Sequence, residues 1–190
     1  MKRISCVVLT AVGLVAAGAS LAGAQTGDTM VVDSGRSGFT LGVGLGLGHL
    51  GCADDDCDPV NEAAGINFHA GAMVSPRLAV IADVWGMAHR DDRVTLSQTI
   101  VTGALRFWPV RRLWISGGVG VARASFRYDA DFVDLEDRTD SVLGYMGAVG
   151  FEALASTTFA LDVALRAGTG AYDEDTRIRN VAVTVGANWY

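Results

Sequence analysis

Residues 41–48 read LGVGLGLG, an aliphatic side chain at every odd position and glycine at every even one, with Phe39 and Thr40 continuing the alternation just upstream. Four glycines in eight residues exclude a helix, because each costs roughly 0.8–1.0 kcal/mol relative to alanine there. A period of two remains, and it is the strand period. In a soluble sheet the aliphatic face would meet a core and the other face would be polar. Here the second face has almost no side chain, so whatever it faces must be crowded from elsewhere.

The alternation recurs. Ile66, Phe68, Ala70, Ala72 and Val74 share a face opposite Asn67, His69 and Gly71. Leu78, Val80, Ala82 and Val84 oppose Ile81, Asp83 and Trp85, and Val101, Leu105 and Phe107 oppose Thr102, Ala104 and Arg106. Four further segments, starting at Leu113, Leu143, Phe159 and Val181, repeat the pattern. Eight strands of roughly 9–11 residues result, about the length a tilted strand needs to cross a bilayer. The connections, at 49–62, 75–77, 89–94, 109–112, 128–140, 155–157 and 171–177, alternate between long and short. Antiparallel neighbours joined this way put the tight turns, with Pro76 and Pro109, at one end and the long loops at the other. The long loops hold 16 of the 21 acidic residues and the N-terminal lead holds Asp28 and Asp33, which leaves Asp83, Glu152 and Asp162 as the acids inside strands.

Those three acids lie on the small-residue face, as do Arg106 and Arg166. One face that is apolar without interruption, opposite a face of glycine and a few charges, inverts the pattern of a soluble barrel. It fits an eight-stranded antiparallel up-and-down transmembrane β-barrel, because only a closed sheet satisfies every backbone group in lipid. The glycines then point into a narrow lumen and leave room for bulkier residues such as Arg106 and Trp85. Asp83, Arg106, Glu152, Asp162 and Arg166 become a lumen charge network. Unpaired burial would be costly, and three acids against two arginines leave a surplus negative charge to be met by protonation, by His69 or by water.

Lys2 and Arg3 precede an apolar stretch from Ile4 to Leu21 and the small-residue sequence Ala22-Gly23-Ala24, the pattern of a secretory signal. The domain reading is therefore a signal peptide at 1–24, a short lead at 25–37 and a barrel at 38–190. Loss of Lys2 and Arg3 takes the formal charge from -6 to -8. Of the three cysteines, Cys6 leaves with the signal; Cys52 and Cys57, in GCADDDCDP, either close a small loop disulfide in an oxidising compartment or remain thiols.

Phe39, Phe107, Phe151, Phe159 and Trp189 are in the lipid-facing phase and lie at the tight-turn or terminal ends of their strands, as an interfacial aromatic belt requires. With this belt, the loop asymmetry, the RFWPVRRLWISGGVGVA hairpin and the terminal VGANWY, the chain resembles the small OmpA/OmpX-like outer-membrane barrels of Gram-negative envelopes. The resemblance implies a cell outer-membrane location, contact with outer-membrane lipid and lipopolysaccharide, and delivery by the barrel-insertion machinery. The chain is further expected to stop at the barrel, without a periplasmic peptidoglycan-binding domain. One departure stands out: such barrels end on a lipid-facing aromatic, whereas here Trp189 is in phase and Tyr190 lies one step beyond.

An eight-stranded barrel is about wide enough for its own side chains, so the expectation is a structural or surface-interaction role with a plugged lumen. The alternatives are a narrow channel for ions or small solutes and a soluble periplasmic lipocalin-like binding barrel. No enzyme is expected: none of His49, His69 and His89 stands in the His-x-Ser arrangement of lipid A deacylases. No cofactor or metal site is expected either. Asp54, Asp55, Asp56 and Asp58 lack the spacing of an EF-hand loop and read as a solvated acidic loop or a loose calcium site. An acidic chain without a basic stripe is not a nucleic-acid binder. Arg123, Arg127, Arg177 and Arg179, near the loop ends of their strands, either meet lipopolysaccharide phosphates or snorkel to water. The extracellular ligand is not legible.

Overall fold

The computed structural model of the protein describes residues 35–52, 60–91, 94–130, 133–172 and 177–190. The signal at 1–24, the first part of the lead, Cys57 and the Asp54–Asp58 cluster lie outside the described residues, so the disulfide and the acidic loop stay expectations.

Among the described residues, alternation forms nine strands: β1 (Phe39–Cys52), β2 (Val60–Ser75), β3 (Leu78–Asp91), β4 (Val94–Val110), β5 (Leu113–Ala130), β6 (Val133–Arg138), β7 (Val142–Ala155), β8 (Phe159–Ala171) and β9 (Arg177–Trp189). All pairings are antiparallel. The sheet runs β4-β3-β2-β1-β9-β8-β7-β5, and pairing of β4 with β5 closes it. The barrel wall has eight places because β6 and β7 share one: β5 pairs Leu113–Ala122 with β7 and Ser125–Ala130 with β6. Thr139 carries the ladder across the break. Its N–H donates to the Ala124 carbonyl at 3.0 Å, and its hydroxyl oxygen accepts from the Ala124 N–H at 2.9 Å. The first and last barrel strands meet in a continuous seam, from Leu41 opposite Trp189 to Cys52 opposite Ile178.

The two faces divide as the alternation requires. Leu45 and Leu47 are 66% and 74% exposed on the outer surface, while Gly42 and Gly44 are buried inside. The inward glycines are the counterparts of large neighbours. A Cβ on Gly42 would fall within the His69 imidazole, one on Gly44 on the Asn67 amide, and one on Gly150 within the Trp114 indole.

Three expectations need correction. The strands of the barrel wall run 13 to 18 residues rather than 9 to 11, because alternation continues through polar positions such as those of VTLSQT in β4. Pro109 accordingly lies within β4, beside a register shift between Phe107 and Val110, and only residues 111–112 form the turn. The outer face is not apolar without interruption. Gly103, Gly117 and Gly147 point outward, where added Cβ atoms would meet nothing closer than the Ser116 carbonyl, 3.9 Å from that of Gly147.

Candidate functional site: the barrel lumen

Inward side chains stack in three layers between the end with the tight turns and the end with the long loops. At the turn end, Glu152 on β7 is the hub. Its carboxylate accepts from the Trp108 indole N–H at 2.8 Å, from the Tyr190 hydroxyl at 2.8 Å and from Arg36 Nη2 at 2.5 Å. The Arg36 guanidinium also donates to the Arg111 carbonyl at 2.8 Å and lies 4.9 Å from the Trp108 ring centre and 5.3 Å from that of Tyr190. Trp108 and Tyr190 meet edge to face at 6.0 Å. Arg36 reaches this place from the lead because the chain bends on both sides of it: Gly35 and Gly38 hold φ of 66° and 81°, a region open to glycine and strained for most other residues. Tyr190 follows β9. Burial, and then the adjacent carboxylate of Glu152, push its phenol above the ordinary tyrosine range.

The middle layer holds the other charges. Arg166 Nη1 donates to both Asp83 carboxylate oxygens, at 3.1 and 3.2 Å. Arg106 makes no comparable pair. It donates to His69 Nε2 at 3.0 Å and to Asn188 Oδ1 at 3.1 Å, with its guanidinium 4.2 Å from the Trp114 ring centre. Asp162 accepts from Trp114 Nε1 at 3.0 Å and Asn188 Nδ2 at 2.9 Å, so Asn188 stands between the arginine and the acid. The cavity left among these residues is about 10 Å³, the room of roughly one water molecule.

Toward the loop end no charged side chain is buried among the described residues. Leu50, Trp85, Met87 and Ile100 pack together with Ala63, Ala122 and Ala182. A chain of neutral hydrogen bonds threads them: Trp85 Nε1 to Asn180 Oδ1 at 2.8 Å, Asn180 Nδ2 to Gln98 Oε1 at 2.6 Å, and Gln98 Nε2 to the Tyr172 hydroxyl at 3.0 Å. Burial raises the Tyr172 hydroxyl above its usual range, against the opposing effect of that last bond.

All five residues expected in the charge network are therefore buried in the lumen, but in three separate groups rather than one. The surplus acid is met by Arg36, a cation in the lead that strand periodicity does not register. Trp108 and Trp114 share the phase of Arg106 and Ser116, so their inward placement is readable from the alternation. Of the expected belt, Phe39, Phe107, Phe151 and Trp189 are exposed on the outer surface, Phe159 is half-buried, and Phe159 and Trp189 meet at 5.4 Å between ring centres.

A closed eight-place antiparallel barrel with a mainly apolar outside and charged side chains buried inside has the architecture of the small outer-membrane barrels. Solved structures of that class match it: the attachment invasion locus protein Ail of Yersinia pestis, 12% identical with a TM-score of 0.60, and Neisserial surface protein A, 12% identical with a TM-score of 0.56. Each alignment spans 80% of this chain, with 99% of Ail and 97% of the Neisserial protein. Ail in complex with the heparin analogue sucrose octasulfate matches with a TM-score of 0.59, 12% identity and the same coverage. At that identity the likeness is one of fold. No protein-family model matches the sequence, nor does any curated protein.

Proposed function

We propose that the protein is an outer-membrane barrel, exported with loss of residues 1–24, whose work is structural or is done by its loops at the cell surface rather than by its lumen. The observation that supports this reading is the burial of large and charged side chains inside the barrel, with Glu152 paired to Arg36, Asp83 paired to Arg166, and a cavity of about 10 Å³ around Arg106 and Asp162. The turn end faces the periplasm and the loop end the outside. The apolar outer face meets lipid, and Phe39, Phe107, Phe151, Phe159 and Trp189 mark the periplasmic interface. A lipocalin-like carrier would need an apolar cavity, and the corresponding space is occupied by Asn67, His69, Arg106 and Trp114.

The same geometry argues against catalysis in the lumen. His69 is buried against Arg106, and His89 at the loop end hydrogen-bonds the Glu62 carbonyl. The loop sequences are acidic, so a polysulfated ligand of the kind held by Ail is opposed here by like charge. Single-channel recording on the purified barrel in planar bilayers tests the reading: the expected record has no steady conductance, and a large stable current would refute it. Fractionation with heat-modifiable gel migration tests the location, the expected result being an outer-membrane band that shifts on boiling.

A further inference from the structure

The polarity of the barrel wall reverses along β4 and β5. From Phe107 to Val101 and from Ile115 to Val121 the outward residues are apolar or glycine, and the inward ones are polar or small. Nearer the loop end the outward pairs are Thr99 with Arg123, Ser97 with Ser125 and Thr95 with Arg127, and the two serine hydroxyls meet at 2.8 Å. The inward pairs there are Leu96 with Phe126 and Val94 with Tyr128. Leu96 packs on the apolar cluster of the loop end, which fixes the face, and residues directly opposite each other in a ladder share one face. A sheet polar outside and apolar inside has the pattern of a sheet in water with its apolar side covered. Here the cover is incomplete, since Phe126 is 48% exposed and Tyr128 39%. Both lie where β5 runs on from Ala122, its last pair with β7, to Ala130, with β4 and β6 as its neighbours.

We propose that this patch binds a small organic cation with an apolar body, such as a quaternary ammonium ion, its charge against the rings of Phe126 and Tyr128 and its body against Val94 and Leu96. The inference rests on the outer-membrane reading above and names a ligand class for the loop end. The sign of the charge comes from acids in register at the two margins of the patch: Asp91 of β3 pairs with Val94, and Asp137 of β6 with Phe126. An aromatic face attracts a cation through its quadrupole, more strongly where water is displaced. A carboxylate beside it adds to that attraction and opposes any anion. The size of the ligand comes from the size of the patch. Four side chains fall well short of the roughly 800 Å² that a stable protein partner covers. Below them the lumen is filled by Leu50, Trp85, Met87 and Ile100, so the ligand stops at the mouth.

The test titrates benzyltrimethylammonium into isotope-labelled protein in dodecyl maltoside micelles, whose head groups carry no charge, and follows amide chemical shifts. The expected result is saturable shifts at Leu96, Phe126 and Tyr128, with benzyl alcohol, a neutral aromatic, binding about tenfold more weakly. Phe126→Leu combined with Tyr128→Leu keeps the apolar surface and removes both rings. It should weaken binding of the cation about tenfold, as loss of the cation–π attraction implies. Asp91→Asn, at an exposed position, removes one charge and should weaken it about threefold. Both variants should keep the heat-modifiable folded band, and Ser97→Ala, on the outward face of β4, should bind as the parent does. Absence of saturable shifts in the parent would overturn the proposal, as would equal affinity for benzyl alcohol or undiminished binding by the variant without the rings. Failure of the chain to enter any bilayer would instead sink the outer-membrane reading itself.

Discussion

At the turn end, Glu152 gathers a guanidinium, an indole and a phenol around one carboxylate; at the loop end, Trp85, Asn180, Gln98 and Tyr172 pass hydrogen bonds among uncharged groups. The contrast is also one of connectivity. Arg36 precedes β1 and Tyr190 follows β9, so the segments flanking the seam are both tied to Glu152 on β7, and through it to Trp108 on β4. The neutral chain at the loop end joins β3, β9, β4 and Tyr172 just after β8, and involves neither flanking segment. A charged hub is worth much only while complete, because a partner left behind is a buried charge with nothing to offset it. A neutral chain loses less when cut, since an orphaned amide costs only its own desolvation.

The largest effect should therefore come from Glu152→Ala. It strands Arg36 and orphans two donors, and should destabilise the folded barrel by about 3–5 kcal/mol. Urea titration of folding into lipid vesicles, read by tryptophan fluorescence, measures this; a loss below about 1 kcal/mol would show that the two ends do not differ as described. Asn180→Leu cuts the neutral chain at its centre, leaving the Trp85 indole and Gln98 without that partner, and should cost about 1–3 kcal/mol in the same assay. Gly42→Ala drives a methyl into the His69 ring and should cost about 1–3 kcal/mol as overpacking. Gly103→Ala adds the same methyl to open space on the outer face. It should be neutral or stabilising by about 0.4–1 kcal/mol through the unfolded chain. Equal costs at Gly42 and Gly103 would contradict the assignment of inside and outside.

The same two regions show what was legible in the sequence. Alternation is a local signal, so every residue within a strand inherits its face from its neighbours, and it puts Asp83, Arg106, Glu152, Asp162 and Arg166 on the inward face, where they are buried. Partnership is not local. Arg36 meets Glu152 across 116 positions of chain from a segment with no periodicity, and only the bends at Gly35 and Gly38 aim it there. The departure at Tyr190 has the same origin, because an inward-phase tyrosine after Trp189 has a purpose only once Glu152 is beside it. Outward glycines are illegible for the opposite reason. Gly117 and Gly147 fall in the apolar phase of strands whose other members are bulky, and their alignment into one row depends on the register between strands, which no single strand encodes.

The claim beneath all of this is that the odd-numbered side chains of β9 face hydrocarbon and the even-numbered ones face a filled interior. Spin labels at Val183→Cys and Thr184→Cys, in a chain without its native cysteines and reconstituted in nanodiscs, test it through collision with oxygen and with a water-soluble nickel complex. The label at 183 should collide freely with oxygen and hardly with nickel, and the label at 184, where it can be accommodated, with neither. Strong collision with nickel at 183 would mean that this face is wet, and the barrel would have to be turned inside out.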